Sequence, residues 1–333
     1  MRARARHPGL HDASGNTLPH RLVDVDGVST YVVDGGEGPP VLLLHGYGDT
    51  ADGWRRVVPG LLRDHRVIAI DVPPFGRSDE VRRPALIDFY KEFFPALFQK
   101  LELERATVIG HSLGGAIALH LTLERPDLVE RLGVVAPAGL GKSPPWWWYL
   151  LTGYGPVYKT ALSVPTPLTN RLIREGMKRF LDVRLFHDPR HLKDDIEHLV
   201  ELHSSRRDFD RLLAAGRCCI QSYSGSLLED SKAITVPKLM IWGRHDGLVP
   251  SDHARAFERL HPEAHVHVLD DCGHYPQIEF PAKFNALLRR WIDETSPAPE
   301  RARRRSLAVA LGPGAAGTRK TLPASSWRGC RQR

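Results

Sequence analysis

Thr107-Val108-Ile109-Gly110-His111-Ser112-Leu113-Gly114-Gly115-Ala116-Ile117-Ala118-Leu119-His120-Leu121 is the stretch that decides the fold. An apolar, β-branched run leads into Gly110, a helix-forming apolar run leads out from Ala116, and G-x-S-x-G lies between them. The pentapeptide alone is weak, since roughly one chain in eight of this composition would hold it by chance. The flanks give it weight. A sharp strand-to-helix turn around Ser112 leaves no room for side chains beside the serine, so Gly110 and Gly114 are expected there for steric reasons. The helix that follows points its first N–H groups at the serine, where a reaction on its hydroxyl would build negative charge.

Outward from this turn, short and wholly apolar runs recur: Val41-Leu42-Leu43-Leu44, Val67-Ile68-Ala69-Ile70, Leu132-Gly133-Val134-Val135 and Leu239-Met240-Ile241-Trp242. Runs of this length without alternation are expected of strands buried on both faces. His265 to Leu269 alternates and fits a strand nearer the edge, with His261, His265 and His267 at solvated positions. Leu22 to Val33 alternates around Asp26-Gly27, which predicts a hairpin. Helical patterns over Trp54–Leu62, Leu86–Leu101, Ala116–Glu124, Ala254–Leu260 and Phe284–Ile292 separate the strands. The expected fold class is therefore α/β: a mostly parallel central sheet with helices on both faces and an inserted helical cap. The expected division is a flexible leader over 1–20, a core over 21–137 and 232–295, a helical cap over 138–231, and a disordered basic tail over 296–333.

Charge locates no binding face. The formal charge is +7, but from Pro297 onward nine Lys/Arg stand against one acid, which leaves the preceding 296 residues at −1. A nucleic-acid partner is not expected. No apolar run reaches membrane-spanning length, and the basic N-terminus is not followed by a signal-type apolar stretch, so the reading is cytoplasmic. Cys218, Cys219, Cys272 and Cys330 have no C-x-x-C or zinc spacing, and no local histidine spacing suggests a metal.

A serine hydroxyl needs a base. Seventeen histidines make presence uninformative, so position must discriminate. His274, in Asp271-Cys272-Gly273-His274-Tyr275-Pro276, follows the last strand-like run. Asp246, in Gly243-Arg244-His245-Asp246-Gly247, follows the strand before it. Both fall where catalytic groups gather, at the carboxyl ends of strands, and the order Ser112, Asp246, His274 is that of one known triad class. Asp71, Asp270 and Asp271 are rival acids: the first precedes the turn, the others crowd His274 in sequence. His45-Gly46-Tyr47-Gly48 follows Val41–Leu44, so the N–H of Tyr47, with that of Leu113, is placed to bind an oxyanion. His45 is read as bracing that loop, His111 as shaping the turn, His245 as a surface residue and Cys272 as a buried, inert thiol. Trp146-Trp147-Trp148-Tyr149 most simply packs the cap. Substrate lining, with Tyr275, is the second reading and lipid contact the third.

With these motifs in order from about Leu22 to Ile292, the chain resembles the α/β-hydrolase superfamily, in the serine branch with a helical cap. Asp71-Val72-Pro73-Pro74-Phe75-Gly76-Arg77-Ser78 looks like another of its loops. The resemblance implies a Ser112–Asp246–His274 triad, a Tyr47/Leu113 oxyanion hole, supporting residues His45, Gly46, Gly110, His111 and Gly114, and neither metal nor organic cofactor. It further implies an esterase or lipase-like activity on a small apolar ester. Serine at the turn argues against the dehalogenases and epoxide hydrolases of the fold, which place Asp there. Carbon–carbon bond hydrolases of aromatic ring-cleavage products keep the serine, and Pro137-Ala138-Gly139-Leu140-Gly141 looks like their cap entrance. Those enzymes usually have Asn and Trp where this chain has His111 and Tyr275. Cofactor-free perhydrolases and a non-catalytic binding protein on the same fold are the remaining alternatives. The oligomeric state is not legible.

Overall fold

The computed structural model describes residues 8–81, 86–141, 166–221 and 227–297. Met1–Ile292 forms one compact unit and Asp293–Arg333 a second. The first unit is built on eight strands: β1 (His20–Val25), β2 (Val28–Gly35), β3 (Pro40–Leu44), β4 (Arg66–Ile70), β5 (Ala106–His111), β6 (Val129–Val135), β7 (Lys238–Gly243) and β8 (His265–Leu269). They lie in the order β1-β2-β4-β3-β5-β6-β7-β8. The β1–β2 hairpin is antiparallel and joins β4 antiparallel, and all pairings from β4 to β8 are parallel. The alternating run His265–Leu269 is the far edge strand, as its pattern predicted.

The unbroken apolar runs divide their side chains between two cores. Leu42, Leu44, Ile68, Ile70, Val108, Met240 and Trp242 face one layer, packed by the helices α1 (Leu86–Lys100), α2 (Leu113–Glu124) and α6 (Asp252–Leu260). Val41, Leu43, Val67, Ala69, Ile109, Leu239 and Ile241 face the other, covered by Trp54, Val58 and the α7 helix (Pro281–Thr295) through Phe284, Leu288 and Trp291. Burying a side chain of this size contributes about 1.5–3 kcal/mol, so the sheet is held from both faces.

Between β6 and β7 the described residues form α3 (Thr166–Phe180), a π-helical turn over Leu181–Leu185, α4 (Lys193–Leu202) and α5 (Arg206–Gln221). This is the cap. It has a small core of its own, Leu181, Leu185, Phe186, Ile196, Leu199 and Val200, and that core reaches Tyr275 and Ile278 below it. Asp195 of α4, almost fully buried, is held by Arg55 and, at 2.6 Å, by Arg56.

Three local expectations meet a different outcome. The flexible leader expected over 1–20 is anchored in its described part: Leu10 and Leu18 are buried and a His11–Thr17 bridge closes the segment, because two spaced leucines suffice to anchor a chain that shows no periodicity. Trp54–Leu62 is not one helix. It is a 3-10 turn over Ala51–Trp54 and a four-residue helix over Val58–Leu61, where Pro59 offers no N–H to extend a helix upstream. His261 is buried, its Nε2 sharing a hydrogen bond with Ser231 Oγ at 2.9 Å, rather than solvated. The Trp146–Tyr149 cluster and the basic tail from residue 298 lie outside the described residues.

Candidate active site

Ser112 stands between β5 and α2 with φ 51° and ψ −111°, a region that non-glycine residues avoid at a cost of about 1–3 kcal/mol. Neighbouring backbone holds it there. Its N–H donates to the Val135 carbonyl at 2.8 Å, and its own carbonyl accepts from Ala116 at 3.1 Å and Ala138 at 3.0 Å. The two glycines are obligatory on steric grounds: a Cβ on Gly110 would overlap the Gly114 carbonyl, and one on Gly114 would overlap the carbonyls of Leu44 and His45. The turn is therefore pressed against the end of β3.

The candidate base comes from the loop after β8. His274 Nδ1 lies 2.7 Å from Asp246 Oδ2, with both side chains almost completely buried. The Asp246 carboxylate also accepts the N–H groups of Leu248 at 2.8 Å and Val249 at 2.9 Å, and the indole N–H of Trp242 at 3.1 Å. An acceptor-only carboxylate fixed by three donors faces Nδ1, which assigns the proton to Nδ1 and leaves Nε2 with the lone pair. The backbone of His274 is pinned as well. Its N–H donates to the cap carbonyl of Leu185 at 2.6 Å, and its carbonyl accepts from His111 Nε2 at 2.8 Å. Burial holds His111 well below the usual histidine range, so it is a neutral donor that ties the residue before Ser112 to His274.

The loop after β3 closes the third side. Gly46 backs onto the turn so tightly that a Cβ would sit 2.8 Å from His111 Nδ1 and 3.2 Å from Ser112 Cβ. His45 does brace its loop: Nδ1 donates to the Gly46 carbonyl at 2.7 Å, and Nε2 accepts the Val72 N–H at 2.8 Å. Burial keeps it neutral. Two of the three rival acids are occupied elsewhere. Asp71 accepts from Ala51 N–H at 2.8 Å and from Arg77, and Asp270 pairs with Arg244 at 2.6 Å. Cys272 is fully buried beside Glu279, which pushes its thiol far above the range in which a thiolate forms.

Several participants have no sequence signature. Glu279 accepts from Gly273 N–H at 2.9 Å, Tyr275 N–H at 3.3 Å and His187 N–H of the cap at 2.9 Å, fixing the histidine loop from beneath. His203 Nε2 donates to the Gly48 carbonyl at 2.5 Å, and the Tyr47 hydroxyl donates to the Leu212 carbonyl of α5. Gly48 has φ +71°, and a Cβ there would meet Leu212 and His203. The loop after β3 is thus gripped by the cap. Tyr275 is buried in the cap's apolar cluster, its ring 4.4 Å from that of His111 and 5.4 Å from that of Phe186. A cavity of about 1230 Å³ lies behind the oxyanion loop, lined by Leu10, Tyr31, Gly48, Phe75, His203 and Leu212 among others, and neither it nor a smaller one near His187 is lined by Ser112.

A profile described as the alpha/beta hydrolase fold matches residues 39–281, nearly three quarters of the chain. The chain is an α/β-hydrolase. Among curated proteins, an uncharacterized protein of Mycobacterium tuberculosis is 30% identical over 270 residues, covering 79% of this chain and 78% of that one. The 2-hydroxymuconate semialdehyde hydrolase of Pseudomonas sp. is 29% identical over 289 residues, covering 84% of this chain and 95% of the relative. Among solved structures, a meta-cleavage product hydrolase from Pseudomonas fluorescens superimposes with a TM-score of 0.70 at 27% identity, covering 83% of this chain and 98% of that one. This hydrolase also contains no helix, among its described residues, long and apolar enough to cross a membrane.

Proposed function

We propose that this α/β-hydrolase is a cytoplasmic serine hydrolase that cleaves a carboxylic ester with an apolar acyl or aromatic part, without a cofactor. The observation that carries the reading is the buried 2.7 Å contact between His274 Nδ1 and Asp246, on loops that flank the strained Ser112 turn. Ser112 Oγ attacks the carbonyl carbon while His274 Nε2 takes its proton. Asp246 holds the tautomer and stabilises the imidazolium. The N–H groups of Tyr47 and Leu113 receive the oxyanion, a donor pair in which each member is worth about 3 kcal/mol of transition-state stabilisation. The alkoxide leaves with the proton from His274, and water repeats the sequence on the acyl-enzyme. Tyr275, whose ring packs 4.4 Å from that of His111, supports the base.

A second reading is carbon–carbon cleavage of a ring-opened dienoate, favoured by the names of the Pseudomonas relatives. His111 and Tyr275, which depart from the residues usual in that group, favour the ester. Turnover of p-nitrophenyl acyl esters of graded length, compared with a dienoate-type diketone, separates the two. Faster ester turnover that disappears in Ser112→Ala is expected. Faster cleavage of the diketone would move the assignment to the second reading, and ester turnover persisting in Ser112→Ala would remove the nucleophile.

A further inference from the structure

His187, His245 and Asp271 come from three separate segments: the cap just after the π-helical turn, the loop after β7, and the loop after β8. Their potential ligand atoms, one from each side chain, all lie within 4.8 Å of one another. The backbone at each point is anchored. His187 N–H donates to Glu279 at 2.9 Å, His245 N–H donates to the Cys272 carbonyl at 2.9 Å, and Asp271 sits between Asp270, paired with Arg244, and buried Cys272. The side chains, in contrast, are solvent-facing and make no hydrogen bond or ion pair among the described residues. Two of the nearby cations are satisfied by other acids, Arg190 by Asp188 at 2.7 Å and Arg244 by Asp270 at 2.6 Å, and neither engages the Asp271 carboxylate.

The two imidazole rings stack with centroids 4.2 Å apart and planes 19° apart. Two neutral imidazole nitrogens and one carboxylate oxygen form the donor set of a borderline divalent ion such as Zn²⁺, Co²⁺ or Ni²⁺, and a poor set for Mg²⁺ or Ca²⁺. With bonds of about 2.0–2.1 Å a tetrahedral ion needs its ligand atoms about 3.3 Å apart, a closure that requires the two rings to turn out of their stack, as exposed side chains on fixed backbone can do. The smaller cavity, about 520 Å³, is lined by two of the three, His187 and Asp271, with Arg190 and Phe280.

We propose that His187, His245 and Asp271 form a surface site for a transition-metal dication of the Zn²⁺ class. Its position gives it a consequence. His245 directly precedes Asp246, Asp271 lies three residues before His274, and His187 belongs to the cap. An ion there ties the cap to both loops that carry the proposed acid and base. It is a clip for the cap, not a participant in hydrolysis. Sequence spacing could not show it, because no two of the three ligands lie on one element.

Dialysed full-length chain is titrated calorimetrically with ZnCl₂ at pH 7.5, in parallel with His187→Gln, His245→Gln and Asp271→Asn, and Co²⁺ absorption reports the geometry. The expected result is one high-affinity ion per chain with a tetrahedral-type Co²⁺ spectrum and a Zn²⁺-induced rise in Tm. Each substitution weakens that step by about tenfold or more and removes the Tm rise. Variants are compared after far-UV circular dichroism shows the metal-free fold intact, and should one fail to fold, the other two decide. Zn²⁺ binding unchanged by the substitutions, or only weak binding spread over many histidines, would overturn the proposal.

Discussion

At the scale of the residue, the proposed chemistry depends on Asp246 and its hold on one nitrogen of His274. If the carboxylate sets the tautomer, Asp246→Asn leaves the fold intact but presents an amide that can donate to Nδ1, and the proton moves to the wrong nitrogen. Steady-state kinetics should show kcat lower by about four orders of magnitude, and a loss below tenfold would contradict the assignment. Asp49 gives a second residue-scale prediction. It is buried in the oxyanion loop with one short bond from Thr50 N–H at 2.8 Å, and burial raises its carboxyl to about 7. The unfolded chain titrates near 3.9, so the folded state holds this proton more tightly. The contribution to stability is fully present below about pH 4 and is lost as pH rises through about 7, worth up to about 4 kcal/mol. Asp49→Asn, which keeps the acceptor and cannot ionise, should flatten the dependence of Tm on pH in that window and stabilise the chain at pH 8. An unchanged pH profile would show that Asp49 ionises without penalty.

At the scale of the element, the cap is mechanically joined to the oxyanion loop. The Tyr47 hydroxyl bonds α5 at Leu212, His203 bonds the Gly48 carbonyl, and Phe75, Leu212 and Ala215 form an apolar cluster against Tyr47 and Leu113. A net hydrogen bond of this kind is worth about 1 kcal/mol to stability, but orientation of an oxyanion donor is worth more to the reaction than to the fold. Tyr47→Phe and His203→Gln should therefore lower kcat by about tenfold with KM little changed, because the loss falls on the transition state. Equal losses in KM alone would assign the contacts to substrate binding. These contacts were not legible in the sequence for a physical reason. They end on backbone carbonyls, and a carbonyl carries no residue identity. Ser112, Gly110 and Gly114 were legible because a strand-to-helix turn admits few residue types, whereas His203 and Glu279 are ordinary polar residues until the chain folds around them.

At the scale of the whole molecule, the sheet was readable from end to end. Strands buried on both faces have no polar positions, and Val41–Leu44 and Leu239–Trp242 announce themselves for that reason; the hairpin and the edge strand alternate because one face meets water. The order of strands and the topology place Ser112, Asp246, His274 and Tyr47 at the carboxyl ends of β5, β7, β8 and β3, so one rim of the sheet gathers what the chain scatters over more than two hundred residues. The anchoring of residues 8–20 escaped, since it depends on two leucines and a bridge rather than on any period. The cap shows the same limit at larger scale: its helices follow from amphipathic pattern, but its grip on the loops after β3 and β8 follows only from where the π-helical turn and α5 come to rest.

The central claim is that the rim of this sheet activates Ser112. Labelling the intact chain with a fluorophosphonate probe and locating the adduct by mass spectrometry tests it most directly. The account predicts stoichiometric modification of Ser112 in the wild type, none in Ser112→Ala, and labelling slowed by orders of magnitude in His274→Ala. Labelling at another residue, or at Ser112 with a rate indifferent to the loss of His274, would contradict it.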